Sequence, residues 1–134
     1  LAYGRGCPRP VYVGSSPKVM LSYLPKQQIL DYYQRFSTQL AEVGFADSED
    51  DFLQQMKKIK KQGYYFSNGE LDPQVAGLSV PVKFSSKEPP LTLTLLASKN
   101  RFEFLDLNKL ILILQENARL IEQKFQSLAE QPEK

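Results

Sequence analysis

Oxygen-bearing side chains are the groups in this sequence that could do chemistry. The chain has 15 Asp and Glu residues, no histidine and one cysteine, Cys7. A triad built on histidine, a cysteine–histidine pair and a zinc site of cysteines and histidines all need residues that the chain does not have. Paired carboxylates alone can hydrolyse glycosides, but these acidic residues are spread over predicted helix surfaces and turns. The sequence therefore predicts a non-enzyme with no catalytic residue, no metal ligand and no cofactor.

A cluster of lysines is the other charged feature. Lys57, Lys58, Lys60 and Lys61 surround Ile59 near the end of a predicted helix. Such a run can bind nucleic acid, but cations are also favoured at the C-terminal end of a helix, where the helix dipole is negative. Because Ile59 continues an apolar stripe and the net charge of the chain is only +2, we interpret the lysines as helix-end residues.

Apolar spacing and turn residues divide the chain into helices, then strands, then a last helix. The first helix would have Ser15 or Ser16 as its N-cap and Pro17 at its first position, where a missing N–H does no harm. Polar residues and two prolines at 85–90 predict a hairpin connection. Helices segregated from strands along the chain are typical of an α+β fold. The predicted elements are a short strand over 11–13, helices over 18–23, 26–36 and 48–62, strands over 64–66, 75–82 and 91–97, and a final helix from about 104 or 106 to 128.

The last helix and the overall composition indicate a single domain that does not enter a membrane. A length of 134 residues fits one domain, and no apolar run reaches the roughly 20 residues that a membrane-spanning helix needs. One cysteine is compatible with a cytoplasmic location. In the final helix, apolar residues recur at intervals of three and four, which predicts a stripe that faces the core. The stripe comprises Leu107, Leu110, Ile111, Leu114, Ala118, Ile121, Phe125 and Leu128.

Five short motifs occur in order along essentially the whole chain. They span residues 10–12, 17–21, 62–64, 70–75 and 78–82, and they read PVY, PKVML, QGY, ELDPQV and LSVPV. In this order they resemble the Pro-Leu-His, Gly-Lys-Ala, Gln-Gly-Tyr, Glu-x-x-Pro-Gly-Val and Ile-Ala-x-Pro-Val motifs of one family. That family is the effector-binding domain of IclR-type bacterial transcriptional regulators.

The resemblance implies a GAF-like fold, in which a curved antiparallel sheet has a ligand pocket on one face and helices on the other. Such domains follow a winged helix-turn-helix DNA-binding domain and assemble as homodimers or tetramers. Neither that domain nor the first helix and strands of the effector domain is found here. We therefore expect residues 1–134 to form one effector-binding domain that is incomplete at its N-terminal side and has an open sheet edge. DNA would be contacted only through the separate domain.

The resemblance also implies a site for a small organic acid, which could be aromatic. In the family, backbone N–H groups at a helix start hold the carboxylate, and the unpaired amides and positive dipole end there suit an anion. Carried over to this sequence, the ligand-binding positions are Ser15, Ser16 and Pro17 at the helix start, Ser67 at a strand end, Gly77 in place of a cysteine, and Thr94 and Leu96 in place of two serines.

Each of these residues also has a purely structural interpretation. Ser15 and Ser16 would cap a helix without any ligand, and threonine at position 94 favours a strand in any case. The changes at Gly77 and Leu96 should make the pocket roomier and less polar. They also support a second hypothesis, a structural dimerisation module whose pocket has lost its ligand. A third hypothesis, an enzyme that uses acidic residues alone, rests only on the presence of those residues.

Overall fold

The computed structural model describes residues 12–70 and 72–129 and confirms the α+β class. Cys7 and most of the 10–12 motif lie outside the described residues. No helix in the described part of the chain is both long and apolar enough to cross a membrane. The elements are α1 (Ser15–Ser22), α2 (Lys26–Glu42), α3 (Glu49–Gln62), β1 (Tyr65–Asn68), β2 (Val75–Val82), β3 (Leu91–Ser98), α4 (Lys99–Glu103) and α5 (Leu107–Ala129).

The three strands form one antiparallel sheet in the order β1-β2-β3. The register pairs Gly77 of β2 with Ser67 of β1 on one side and with Leu96 of β3 on the other. Because side chains alternate along a strand, one face of β2 carries Gly77 and Ser79 whereas the other carries Leu78. The predicted strand over 75–82 and the hairpin to β3 are confirmed.

α5 covers the apolar face of the sheet and confirms only part of its predicted stripe. Ile111 and Ala118 are buried in core clusters with β2 residues. Ile121 is the last residue of the helix that packs against either cluster. Phe125 and Leu128, which end the predicted stripe, are 51% and 62% exposed. The stripe is therefore core-facing over the first two thirds of the helix and exposed over the rest.

The opposite face of the sheet is covered in part by α1, whose start the resemblance places at the ligand site. Ser15 of α1 is hydrogen-bonded to Ser79 of β2. Further along α1, Val19 is buried with Phe52 and Met56 of α3 in a cluster that also includes residues of α2. α1 therefore joins the sheet to the core cluster formed with α2 and α3.

α3 forms nearly as the sequence predicts. Its N-cap Ser48 accepts a hydrogen bond of 3.1 Å from the backbone N–H of Asp51, which satisfies one unpaired amide of the first turn. Gly63 ends the helix with a left-handed φ of 76°, a conformation that glycine adopts at little cost. Met56 and Ile59 are buried as the apolar stripe requires.

The start of α1 differs from the prediction. Gly14, with a φ of 92°, is the N-cap, and Ser15, Ser16 and Pro17 are the first three helical residues. The predicted serine cap is wrong because both serine hydroxyl groups bond to the sheet instead. Pro17 is tolerated at the third position since N–H groups of the first turn have no partner within a helix. The predicted strand over 11–13 is not formed by its described part, 12–13.

α2 and α4 also differ from the predicted elements, for reasons that lie in tertiary contacts. The predicted end of α2 coincides with a kink, because Phe36 has non-helical angles (φ −118°, ψ 17°). The helix resumes beyond it, and Leu40, only 1% exposed, anchors that second part in the core. α4 was not predicted. Its N-cap Ser98 accepts from the N–H of Arg101, and Phe102 is buried.

Candidate functional site

The start of α1 lies against the sheet, and its first two side chains reach different strands. Ser15 Oγ lies 2.7 Å from Ser79 Oγ of β2, and Ser16 Oγ lies 2.6 Å from Thr92 Oγ1 of β3. Distances of this size are those of good O–H···O hydrogen bonds. These two bonds therefore fix the first turn of α1 on the face of the sheet that carries Gly77.

Ser15, Ser79 and Thr94 form a continuous chain of hydroxyl groups, which we call the hydroxyl trio. Ser79 Oγ is also 2.7 Å from Thr94 Oγ1. Ser79 is 0% exposed and Ser15 is 3% exposed, so these two are shielded from water, whereas Thr94 is partly exposed. Two bonds among three hydroxyl groups use two of their three protons. The third proton is not used within the trio. It is free to donate a hydrogen bond to an acceptor such as a carboxylate.

Gly77 lies beside the trio, and its surroundings correct the expectation of a roomier pocket. A Cβ atom at Gly77 would lie 2.9 Å from Leu96 Cδ2 and 3.1 Å from Ser15 Oγ. The space that the missing side chain leaves is therefore occupied by Leu96 and Ser15. Leu96 is 51% exposed, so the end of its side chain can move without disrupting the core. Ser67, paired with Gly77 from β1, is buried.

The first turn of α1 supplies backbone donors at Ser15 and Ser16 but none at Pro17. The N–H groups of the first turn have no partner within a helix. Ser15 and Ser16 each carry one such group, whereas Pro17 has no N–H to donate. The positive end of the helix dipole lies at the same place. Pro17 therefore shapes this turn, and Ser15 and Ser16 are the residues that could donate to an anion.

Ser79 belongs to this site but is not among the residues that the sequence predicts. In the motif at 78–82 it occupies the position where the family has alanine, so the resemblance implies no polar role for it. The strand pattern held the missing signal, because Ser79 shares a face with Gly77 and pairs with Thr94 in the register. The predicted site residues Thr94 and Ser15 are connected only through it.

A second buried polar network adjoins the start of α1. Lys18 forms an ion pair with Glu70, and the two side chains are 3% and 15% exposed. Lys18 Nζ also donates to the carbonyl oxygens of Tyr12 (3.4 Å) and Gly14 (3.3 Å). Glu70 accepts a further bond of 3.1 Å from the hydroxyl group of Tyr65. The network ties the segment before α1 to the segment that follows β1.

The electrostatics of this network indicate a positioning role for Lys18. Burial lowers its pKa below the usual 10.5, although the charge of Glu70 and its hydrogen bond oppose that shift. Burial, together with the charge and hydrogen bond of Glu70, raises the pKa of Tyr65 above its usual 10. Lys18 Nζ also lies 4.7 Å from the ring centroid of Phe45. Its three N–H donors have three acceptors, so Lys18 holds the site together and is not an open anion ligand.

Within residues 12–70 and 72–129, no group of three or more cysteine, aspartate or glutamate side chains is placed to hold a metal ion. The polar groups at the start of α1 are hydroxyl groups and backbone amides. These groups recognise anions and hydroxylated molecules by hydrogen bonding. The arrangement is therefore suited to binding a small polar molecule.

A family model matches nearly the whole chain. The family is described as bacterial transcriptional regulator IclR C-terminal, and the match covers residues 2–123. No curated protein sequence matches the chain significantly.

Solved structures of transcriptional regulators have the same fold. A putative regulator from Rhodococcus sp. RHA1 superposes with a TM-score of 0.76 at 21% identity, covering 89% of this chain and 49% of the other. The C-terminal domain of a putative regulator from Vibrio cholerae gives a TM-score of 0.67 at 29% identity, covering 83% of this chain and 63% of the other. The chain thus spans about half to two thirds of the length of these two structures.

A third solved structure contains a small aromatic acid. It is the inducer-binding domain of a double mutant of the PobR transcription factor from Acinetobacter, in complex with 3-hydroxybenzoic acid. Its TM-score is 0.70 at 19% identity, and the match covers 90% of this chain and 70% of the other. At this identity the likeness shows the fold, which is the one that the five sequence motifs implied.

Proposed function

This chain belongs to the IclR C-terminal family of bacterial transcriptional regulators, and on that premise we propose that it senses a small organic acid. The acid binds where α1 begins on the sheet, among Ser15, Ser16, Pro17 and the neighbouring predicted positions. Its binding modulates the DNA binding of a separate domain of the regulator. The observation that carries this proposal is the hydroxyl trio beside Gly77, of which Ser15 and Ser79 are buried and Thr94 is partly exposed.

The carboxylate of the acid is the anchoring group. It accepts hydrogen bonds from the backbone N–H groups of Ser15 and Ser16, at the positive end of the dipole of α1. Hydrogen bonds to a charged group contribute about 1.5–3 kcal/mol each. The remaining proton of the hydroxyl trio provides a third donor close by. These contacts give the site its preference for acids over neutral molecules.

The body of the acid crosses Gly77, and a polar substituent on it reaches Thr94. The side chain of Leu96 moves aside to admit the ligand and then packs against its apolar part. Ser67 lies across Gly77 from Leu96 and borders the other side of the site. An aromatic acid fits this arrangement of one charged end and one apolar side, and the complex of the PobR domain with 3-hydroxybenzoic acid supports that class.

The occupied space at Gly77 favours a second candidate function. The Cδ2 atom of Leu96 lies 2.9 Å from the point where a Cβ at Gly77 would be. If Leu96 stays in that position, no ligand enters. The domain would then be a structural dimerisation module without an effector. The two candidates differ in one measurable property, which is whether any organic acid stabilises the domain.

A thermal-shift screen with aliphatic and aromatic acids, 3-hydroxybenzoate among them, tests the proposal. A ligand at a hundredfold its Kd stabilises the native state by about 2.7 kcal/mol, which raises the Tm by several degrees in a domain of this size. Thr94→Val should weaken the binding of hydroxylated acids about tenfold, because it removes one hydrogen-bond partner. Thr38→Val, an exposed hydroxyl group on α2, is the matched control and should leave binding unchanged.

Two further variants at the site distinguish the candidates. Leu96→Ala opens the space above Gly77 and should retain or improve binding, whereas Gly77→Leu fills that space and should abolish it. Both are compared with the unmodified chain by circular dichroism to establish that they fold. If no acid in the panel shifts the Tm of either the unmodified chain or Leu96→Ala, the sensing function is refuted and the structural module takes its place.

A further inference from the structure

A second cavity, separate from the start of α1, is surrounded by cations. It has a volume of about 430 Å³, and its lining includes Lys60, Lys61, Lys83 and Arg119. We call it the basic cavity. Tyr23, the residue that ends α1, also lines it, whereas none of the seven predicted effector-site residues does. The two lysines at 60 and 61 belong to the cluster that the sequence assigned to the end of a helix.

The four cations come from three different parts of the fold. Lys60 and Lys61 lie in the last turn of α3, Lys83 follows β2, and Arg119 is on α5. Two of the ammonium groups share one aromatic ring, since the Nζ atoms of Lys60 and Lys83 lie 5.5 and 5.1 Å from the ring centroid of Tyr23. Both positive charges are thus held close to Tyr23, and an anion bound beside this ring would be attracted to both of them.

These cations are not neutralised by neighbouring side chains. In the described ranges, none of the four forms an ion pair with a carboxylate. Glu122 lines the cavity, but its Oε1 atom accepts a 2.9 Å hydrogen bond from the backbone N–H of Lys83. The C-terminal end of α3 adds a partial negative charge of roughly one half. Four cations, the carboxylate of Glu122 and this partial charge leave an excess of about 2.5 positive charges around the cavity.

We propose that the basic cavity binds a small multivalent oxyanion, such as a phosphate ester or a polycarboxylate. The volume lies within the range of pockets that hold small molecules. The four cations are exposed and border an open cavity from three sides, so a compact anion in the cavity can be attracted to all of them. The excess positive charge requires a ligand with at least two negative charges, so the site differs in ligand class from a monocarboxylate site at α1.

The test is calorimetric titration of the chain with inorganic pyrophosphate, and separately with citrate, at low and at physiological ionic strength. Binding should weaken as salt increases, because the attraction is largely Coulombic. Lys83→Gln and Arg119→Gln should each weaken binding about tenfold, as expected for the loss of one charge-assisted hydrogen bond. Lys83→Gln keeps the backbone bond to Glu122, so the fold should be retained.

Lys124→Gln is the matched control, because it removes the same charge from α5 without lining the cavity. Backbone amide shifts of Gly63 in nuclear magnetic resonance spectra supply a readout that needs no variant, and they should change on pyrophosphate addition. The proposal is overturned if neither anion binds or if Lys124→Gln weakens binding as much as Arg119→Gln. It is also overturned if the binding of a DNA duplex depends on Lys83 and Arg119 and the binding of pyrophosphate does not.

Discussion

At the scale of single residues, Lys18 and Glu70 illustrate how a sequence motif can encode support for a site. Both residues lie in the family motifs, at 17–21 and 70–75, and the structure joins them as a buried ion pair. Removing one partner of such a pair leaves an uncompensated charge in the protein interior. The pair holds the start of α1 in place, and losing one partner should cost the fold more than replacing both.

Glu70→Gln is predicted to reduce the free energy of unfolding by about 3 kcal/mol, because Lys18 stays buried without its counter-charge. The double variant Lys18→Met, Glu70→Gln should lose less than the single variant, since no buried charge remains. Urea denaturation measures both. Glu88→Gln, exposed in the hairpin connection, is the control and should change stability by less than about 0.5 kcal/mol. The prediction would be contradicted if Glu70→Gln also changed the free energy of unfolding by less than about 0.5 kcal/mol.

The candidate site could be predicted from the sequence at some residues and not at others. Ser15 and Thr94 were named through motif positions, and the structure connects them. Ser79, which makes the connection, could not be predicted from the motifs because the family has alanine at its position. The side chain of Leu96 over Gly77 could not be predicted either, because a rotamer depends on packing that no local pattern specifies.

At the scale of elements, helix caps show where local chemistry decides the structure. Ser48 caps α3 with its side chain, and the boundaries of that helix follow the prediction closely. Gly14 caps α1 with no side chain at all, and there the prediction failed. The difference is that the alternative partners for Ser15 and Ser16 are hydroxyl groups on strands more than sixty residues away.

Ser48→Ala is predicted to reduce the free energy of unfolding by about 1 kcal/mol, since the N–H of Asp51 loses its acceptor. Ser48→Asp should keep most of the stability because aspartate is an equally good cap and its charge favours the positive end of the dipole. The measurement is a guanidinium unfolding curve for each variant. Ser86→Ala, at an exposed loop position, should be neutral. Equal effects at Ser48 and Ser86 would show that the cap contributes nothing.

Elements with strong periodicity or turn signals were predictable, and short or tertiary-supported ones were not. β2, β3, α3 and α5 each follow from apolar spacing and flanking turn residues. α4 has five residues, too few to show a helical period, and depends on the cap at Ser98 and the burial of Phe102. The second part of α2 likewise depends on the burial of Leu40. Burial against distant segments is a property of the fold and has no local signature.

At the scale of the whole molecule, the exposed apolar side chains of α5 support the proposal of self-association. Ile113 and Leu120 are 52% and 53% exposed and lie seven residues apart, which places them on one face of the helix. Leu112 on the adjoining strip is 64% exposed. Single exposed apolar residues are ordinary, but a contiguous group suggests an interface. A second copy of the chain is the proposed occupant of this surface.

The chain is predicted to sediment as a homodimer or tetramer at micromolar concentration. Leu120→Glu should shift it towards the monomer, because a charge placed in an apolar interface loses its hydration without gaining a partner. Analytical ultracentrifugation measures the change. Gln34→Glu adds the same charge at an exposed position of α2, away from this surface, and should leave the assembly intact. A monomer in the unmodified chain over this concentration range would contradict the prediction.

The central position of β2 has a consequence for hydrogen exchange. This strand is paired on both sides, and its residues Leu78, Ser79 and Val80 are completely inaccessible. Their amide protons can exchange with solvent only when the sheet opens, so their rates follow the largest opening free energy in the domain. A ligand that stabilises the native state by about 2.7 kcal/mol would slow that exchange about a hundredfold. The deuterium uptake of β2 therefore reports the occupancy of either proposed site without a label on the ligand.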